Sequence, residues 1–157
     1  MAVIAGSCAI AAAAALPAAA FVVAPLGDKR EGGRWVRLLR LDVLKENEPR
    51  RVAVVSDRKD AWTLEKGVEL GSVWVVRHGD KVTAFSAVCP HLGCSVNAQP
   101  DGGFSCPCHT SAFDPQGKKK SGPAPRDMDT LESRIEDGFV AVDFRRFRIG
   151  VAEKVES

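Results

Sequence analysis

Cys89-Pro90-His91-Leu92-Gly93-Cys94 and Cys106-Pro107-Cys108-His109-Thr110-Ser111 hold four of the five cysteines and two of the three histidines in a chain of 157 residues. Thiolate and imidazole are the side chains that bind zinc and iron–sulfur iron most readily, so this concentration points to a metal centre. Reduced to candidate ligands, the pattern is Cys-x-His, fourteen residues, Cys-x-x-His, from Cys89, His91, Cys106 and His109. Cys94 and Cys108 are left over. The spacing fits a tetrahedral zinc site, and it fits a cluster whose two irons are held by two cysteines and two histidines respectively. A structural zinc lobe gains nothing from one additional cysteine in each loop. Joined as a disulfide, Cys94 and Cys108 would tie the loops together. Closing about 15 residues is worth roughly 3 kcal/mol in the chain-entropy model and calls for an oxidising compartment.

Outward from the loops the apolar pattern is that of short strands: Trp35 to Leu41, Arg51 to Ser56, Val73 to Arg77, Lys81 to Ser86, Leu131 to Glu136 and Phe139 to Phe144. Gly79-Asp80 and Asp137-Gly138 stand where two-residue hairpin turns need positive φ, which makes the architecture antiparallel β. Asp101-Gly102-Gly103 and Asp114-Pro115-Gln116-Gly117 turn the chain around the second loop. Leu41 to Glu48 and Asp60 to Lys66 can each form a helical turn or two, and Trp62 and Trp74 read as core aromatics. His78, beside a turn, reads as a surface residue. Lys118-Lys119-Lys120 reads as a solvated face, and Gly122-Pro123-Ala124-Pro125 as a rigid exposed flap.

The charges divide the chain in two, since none falls in the first 27 residues and all lie from Asp28 onward. As a helix those 27 residues would span roughly 40 Å at about 1.5 Å per residue, enough to cross a bilayer. No basic residue precedes the apolar run, so it reads as a retained anchor rather than a cleaved signal. Residues 28–34 are polar and glycine-bearing and read as a hinge. A net charge of +2, from 22 basic and 20 acidic residues, leaves no electrostatic footprint for nucleic acid.

Together CPHLGC, CPCHTS and the later GPAP resemble the Rieske iron–sulfur proteins of cytochrome bc-type complexes, over roughly Trp35 to Phe147. The resemblance implies an all-β fold: an antiparallel Rieske-type β-sandwich or barrel with a small cluster-binding subdomain, preceded by one N-terminal transmembrane helix. The implied organisation is an anchor at 1–27, a hinge at 28–34, a Rieske domain at 35–147 with its cluster-binding part at about 87–125, and a C-terminal tail at 148–157. It implies one 2Fe-2S cluster, with Cys89 and Cys106 on the buried iron and His91 and His109 on the outer one, Cys94 and Cys108 paired, and Gly93, Ser111, Phe113 and Pro123 around the cluster. Two ferric ions, two sulfides and two thiolates sum to zero with neutral imidazoles, whereas four thiolates leave a charge of minus two. The histidine-ligated cluster is therefore easier to reduce. Reduction in turn favours imidazole protonation.

By the same resemblance, the chain is a single-pass subunit of the bacterial plasma membrane with its head on the periplasmic side, within a dimeric multi-subunit complex. It takes an electron and a proton from quinol at His109, docks on cytochrome b through Leu92, and passes the electron to a c-type cytochrome. The alternative is the small Rieske subunit of an arsenite-oxidase-like molybdoenzyme. A soluble Rieske ferredoxin would lack Cys94 and Cys108, and an oxygenase would need a second, larger iron domain. Ser111 matches a family serine that donates to a bridging sulfide. Phe113 stands where many high-potential members have tyrosine, and the chain contains no tyrosine at all. That predicts a lowered potential, suited to menaquinol.

Overall fold

A computed structural model describes residues 13, 15–23, 34–59 and 63–157. The chain divides into a unit of Met1–Glu31 with Lys59–Glu65 and a larger unit of Gly32–Arg58 with Lys66–Ser157. In the smaller unit residues 15–23 are helical. No helix among the described residues is long and apolar enough to cross a membrane. The expected hinge, apart from Arg34, and Trp62 lie outside the described residues.

Strands β1 (Arg34–Arg40), β11 (Phe139–Phe144) and β10 (Ser133–Glu136) form one antiparallel sheet, with β11 in the middle. A second sheet runs β2 (Arg50–Lys59), β3 (Leu64–His78), β4 (Lys81–Ser86) and β9 (Thr130–Leu131). A third, of very short strands, runs β5 (Asn97–Ala98), β6 (Phe104–Ser105), β7 (Ala112–Phe113) and β8 (Lys119–Ser121). The β3–β4 hairpin turns at Gly79, with φ +61°. The β10–β11 hairpin turns at Asp137 and Gly138, with φ +50° and +77°, the two consecutive positive values of a type I′ turn.

Val73-Trp74-Val75-Val76 is apolar without interruption because β3 is covered on both faces. Successive strand side chains point to opposite sides. Val73 and Val75 accordingly join a core with Val36, Leu44, Val54, Ala84, Leu131, Val140 and Val142, between the first two sheets. Trp74 and Val76 join a second core with Phe85, Phe104, Phe113, Met128 and the buried Cys89 and Cys106. Within that second core the Phe104 ring lies 5.7 Å from Trp74 and 5.6 Å from Phe85, tilted or edge-on. Such ring pairs add about 0.5–1.5 kcal/mol each beyond burial. Trp74 Nε1 donates to Val96 O at 2.9 Å, so the indole both fills the core and fastens the chain just past the first cysteine loop. One sheet thus separates a supporting core from a core that ends in cysteines.

Several expectations need adjustment. β3 is much longer than Val73 to Arg77, because its outer half is exposed and polar and carries no strong strand pattern. Leu41 to Glu48 forms only a 3-10 turn, Leu41–Val43. Residues 64–66 open β3 rather than a helix. The strands of the third sheet, two or three residues each, fall below what periodicity can reveal. His78 is exposed as expected, with Nδ1 2.8 Å from Asn47 Oδ1.

Candidate metal centre

The two cysteine loops lie where the second core meets the surface. The first joins β4 to β5, and its neck is closed by Cys89 N–H donating to Cys94 O at 2.8 Å, with Val88 and Ser95 bridged just outside. Inside it, Gly93 N–H donates to Cys89 O at 3.0 Å. The second joins β6 to β7 and is closed by Cys106 N–H donating to Ser111 O at 2.8 Å. That closure holds Thr110 at φ +57°, a conformation that β-branched residues rarely adopt. The strained residue sits directly between His109 and Ser111.

Cys94 and Cys108 form a disulfide that ties the two loops, as expected. Cys89 and Cys106 are free thiols, 0% and 2% exposed. Burial pushes the Cys89 thiol up, and the neighbouring Cys106 side chain adds to this, while backbone N–H groups of His91 and Leu92 pull it down. Cys106 Sγ also lies within 4.8 Å of both disulfide sulfurs. Those two sulfurs are bonded to each other, so they offer no thiolate, and among the described residues Cys89 and Cys106 are the remaining thiol donors.

His91 is half-buried and His109 exposed, and their rings meet edge-on with centroids 4.8 Å apart. His91 Nδ1 is buried with no hydrogen-bond partner in the protein. An orphaned buried ring nitrogen costs free energy unless something accepts its lone pair or its proton. Two adjacent buried thiolates are likewise tolerable only beside a cation. The donor set of two interior sulfurs and two outward imidazoles therefore fits a 2Fe-2S cluster of mixed cysteine and histidine ligation, with Cys89, Cys106, His91 and His109 as the residues that could hold it.

The remaining expected residues surround these four. Leu92 is 58% exposed at the tip of the first loop, next to Gly93. Phe113 is buried in the same core as both free cysteines. Ser111 is completely buried, and its Oγ accepts the N–H of Ala124 at 3.1 Å. The Gly122–Pro125 stretch is thus not simply an exposed flap. Gly122 and Pro123 face solvent, but Ala124 is buried and is the one residue between two prolines whose amide can reach Ser111. A Cβ on Gly122 would lie 2.4 Å from Ser111 Cα and 2.8 Å from Thr110 O, so only glycine lets this loop lie against the second ligand loop.

Sequence reasoning missed the contribution of the C-terminal residues, expected as a tail. They fold back as a hairpin, with Phe147 bridged to Glu156 and Arg148 N–H donating to Val155 O at 2.8 Å, and Gly150 N–H reaches Pro90 O in the first ligand loop at 2.7 Å. No side-chain signal could have announced a contact made by a backbone amide.

Residues 34–132 match the family described as the Rieske [2Fe-2S] domain. The menaquinol:cytochrome c reductase iron-sulfur subunit of Bacillus subtilis is 32% identical over 136 residues, covering 83% of this chain and 80% of that one. The chloroplastic cytochrome b6-f complex iron-sulfur subunit of rice is 36% identical over 143 residues, covering 83% of this chain and 60% of its own length. Among solved structures, the cyanobacterial plasma membrane Rieske protein PetC3 from Synechocystis is 28% identical with a TM-score of 0.51, covering 69% of this chain and 99% of that one. The chain therefore belongs to the Rieske family, with the iron-sulfur subunits of bc-type complexes as its relatives, and one Rieske 2Fe-2S cluster is its cofactor.

Proposed function

We propose that this chain is the quinol-oxidising electron-transfer subunit of a bc-type complex, with Cys89 and Cys106 on the inner iron and His91 and His109 on the outer one. The observation that carries the reading is a pair of adjacent buried thiols in the same two loops as two imidazoles whose centroids lie 4.8 Å apart, one of them exposed. When bound, the cluster supplies a one-electron acceptor for quinol and a donor for the next carrier.

The protein's own groups do the rest. An orphaned Nδ1 on His91 supports ligation through that atom, which leaves Nε2 as the nitrogen facing solvent. His109, the more exposed of the two, accepts the quinol hydroxyl proton at Nε2. Leu92, the exposed residue after His91, presents an apolar tip and excludes water from the contact with a cytochrome b subunit. The Ser111 hydroxyl accepts from Ala124 N–H, which keeps its own proton free to donate toward a sulfide. Phe113 supplies no donor to a cysteine sulfur, and the name of the Bacillus relative, a menaquinol reductase, supports the low-potential quinol that this implies. The acceptor is a c-type cytochrome. The apolar run at 1–27 serves as the membrane anchor, with the head on the periplasmic side, where an oxidising compartment maintains the Cys94–Cys108 bond.

Protein purified from membranes with its partners tests this by visible absorption and low-temperature electron paramagnetic resonance. A reddish protein whose reduced form gives a rhombic signal, lost in Cys89→Ser and His109→Gln, is the expected result. A colourless protein containing zinc overturns it.

A further inference from the structure

Arg126 follows the Gly122–Pro125 loop and is nearly buried, its side chain 9% exposed against 6% for its partner Asp129. Its guanidinium is divided between two tasks. Nε and Nη2 hold the Asp129 carboxylate at 2.9 and 2.8 Å. Nη2 also donates to Arg148 O at 2.7 Å, and Nη1 donates to Val151 O. Asp129 is fixed in turn, since its backbone carbonyl accepts Ser86 N–H at 2.8 Å, at the end of the strand that leads into Cys89. The ion pair therefore anchors residues 148–151 to the floor of the first ligand loop.

Between those two clamped carbonyls, the C-terminal segment touches the loop on both sides of His91. Gly150 N–H donates to Pro90 O at 2.7 Å. A Cβ at Gly150 would lie 3.6 Å from His91 O, and one at Gly93 would lie 3.5 Å from Ile149 Cδ1. Pro90 O is bound before the histidine, and Ile149 covers Gly93 after it. Lysine could neutralise Asp129 but has a single ammonium and no planar fork, so it could not hold both carbonyls and the carboxylate in this geometry.

We propose that Arg126 is a positioning residue for the metal centre: by clamping residues 148–151 against Pro90 and Gly93, it sets the position of the first ligand loop and hence the orientation of the His91 ring at the outer iron. The inference rests on the reading of His91 as a ligand.

Arg126→Lys in the full-length, cluster-bearing protein tests it. The expected results are a shifted midpoint potential, altered g-values of the reduced cluster, and exchange of the Gly150 amide faster by about tenfold, roughly what one lost hydrogen bond is worth. If Arg126 only stabilises the fold, the thermal midpoint falls while potential, g-values and Gly150 protection in the folded protein stay unchanged, and the proposal is overturned. Should Arg126→Lys fail to accumulate, Ile149→Ala carries the test, because it leaves Arg126, Asp129 and both clamped carbonyls in place and removes the side chain that lies over Gly93. A shifted spectrum and potential support the clamp, and unchanged ones overturn it. His91→Gln separates the two levels. If it leaves the spectrum intact, the ligand reading fails. If it abolishes the cluster while Arg126→Lys and Ile149→Ala change nothing, only the positioning role fails.

Discussion

Ser111→Ala would perturb two things at once, and the structure separates them. Ser111 and Ala124 are both 0% exposed, and the Ala124 N–H has Ser111 Oγ as its acceptor at 3.1 Å. Removing the hydroxyl leaves that amide buried and unbonded, at a cost of about 1–3 kcal/mol. Gly122 already lies against the Ser111 backbone, so the proline loop cannot close further to compensate. For a domain of this size that corresponds to a fall in Tm of about 4–12 °C. Independently, the cluster loses the proton that the Ser111 hydroxyl is proposed to offer it. A hydrogen bond worth about 0.5–1.5 kcal/mol more to the reduced state corresponds to a drop in midpoint of about 20–60 mV for one electron. Thermal denaturation followed by circular dichroism reads the first effect, redox titration the second, and amide exchange at Ala124 links them. An unchanged Tm with Ala124 still protected would refute the role of Ser111 in holding the proline loop. An unchanged or raised midpoint would refute its donation to the cluster.

Phe113→Tyr places a hydroxyl in the core that holds both free cysteines, and is expected to raise the midpoint potential. An unchanged or lowered midpoint in redox titration would show that no donor is missing at the cysteine sulfur. The double variant Cys94→Ser/Cys108→Ser opens a cross-link of sequence separation 14, expected to cost about 3 kcal/mol and to speed cluster loss. Denaturant unfolding and bleaching of visible absorption measure these, and parental stability would contradict the bracing role. Asp127 is held below its ordinary value of 3.8, first by the Lys118 ammonium at 2.8 Å and then by the Lys119 backbone N–H. Its folded-state value is lowered, so its support of the 118–127 loop is complete above that ordinary value and fades as pH falls through the lower one. Asp127→Asn should remove this acid limb from the titration of the Lys119 amide resonance, and an unaltered profile would count against it.

The cluster site was legible because its chemistry is written in side chains that have few other uses. Two pairs of cysteines, two histidines and a serine within twenty-odd residues pointed to a metal centre, the choice of an iron–sulfur cluster over zinc came with the family resemblance, and Cys94 and Cys108 were the pair left over in the two loops. The doubly covered sheet was legible in part: Val73-Trp74-Val75-Val76 announced a strand, while the outer half of β3 did not, because exposed polar strands depend on their hydrogen-bonded neighbours rather than on their own composition. The third sheet was invisible for a related reason. Its strands are too short for alternation to register, and they are set by backbone bonds in the connections between them, Gln99 N–H to Gly103 O between β5 and β6 and Cys106 N–H to Ser111 O between β6 and β7.

The C-terminal segment marks where such reading stops, and why. Its contact with the first cysteine loop runs from a glycine amide to a proline carbonyl, and its clamp runs from an arginine to two more carbonyls, so four of the five groups involved carry no residue-specific signature. Only Arg126 could have been noticed, and in sequence it is one basic residue among 22. Yet the physical consequence is as local as ligation itself. A ligand loop has a reactive side, which its side chains define, and a supporting side, which must be equally well fixed for an imidazole to keep one orientation through repeated oxidation and reduction. Here the reactive side comes from CPHLGC and, on the proposed clamp, the supporting side comes from residues 148–151, some sixty positions later.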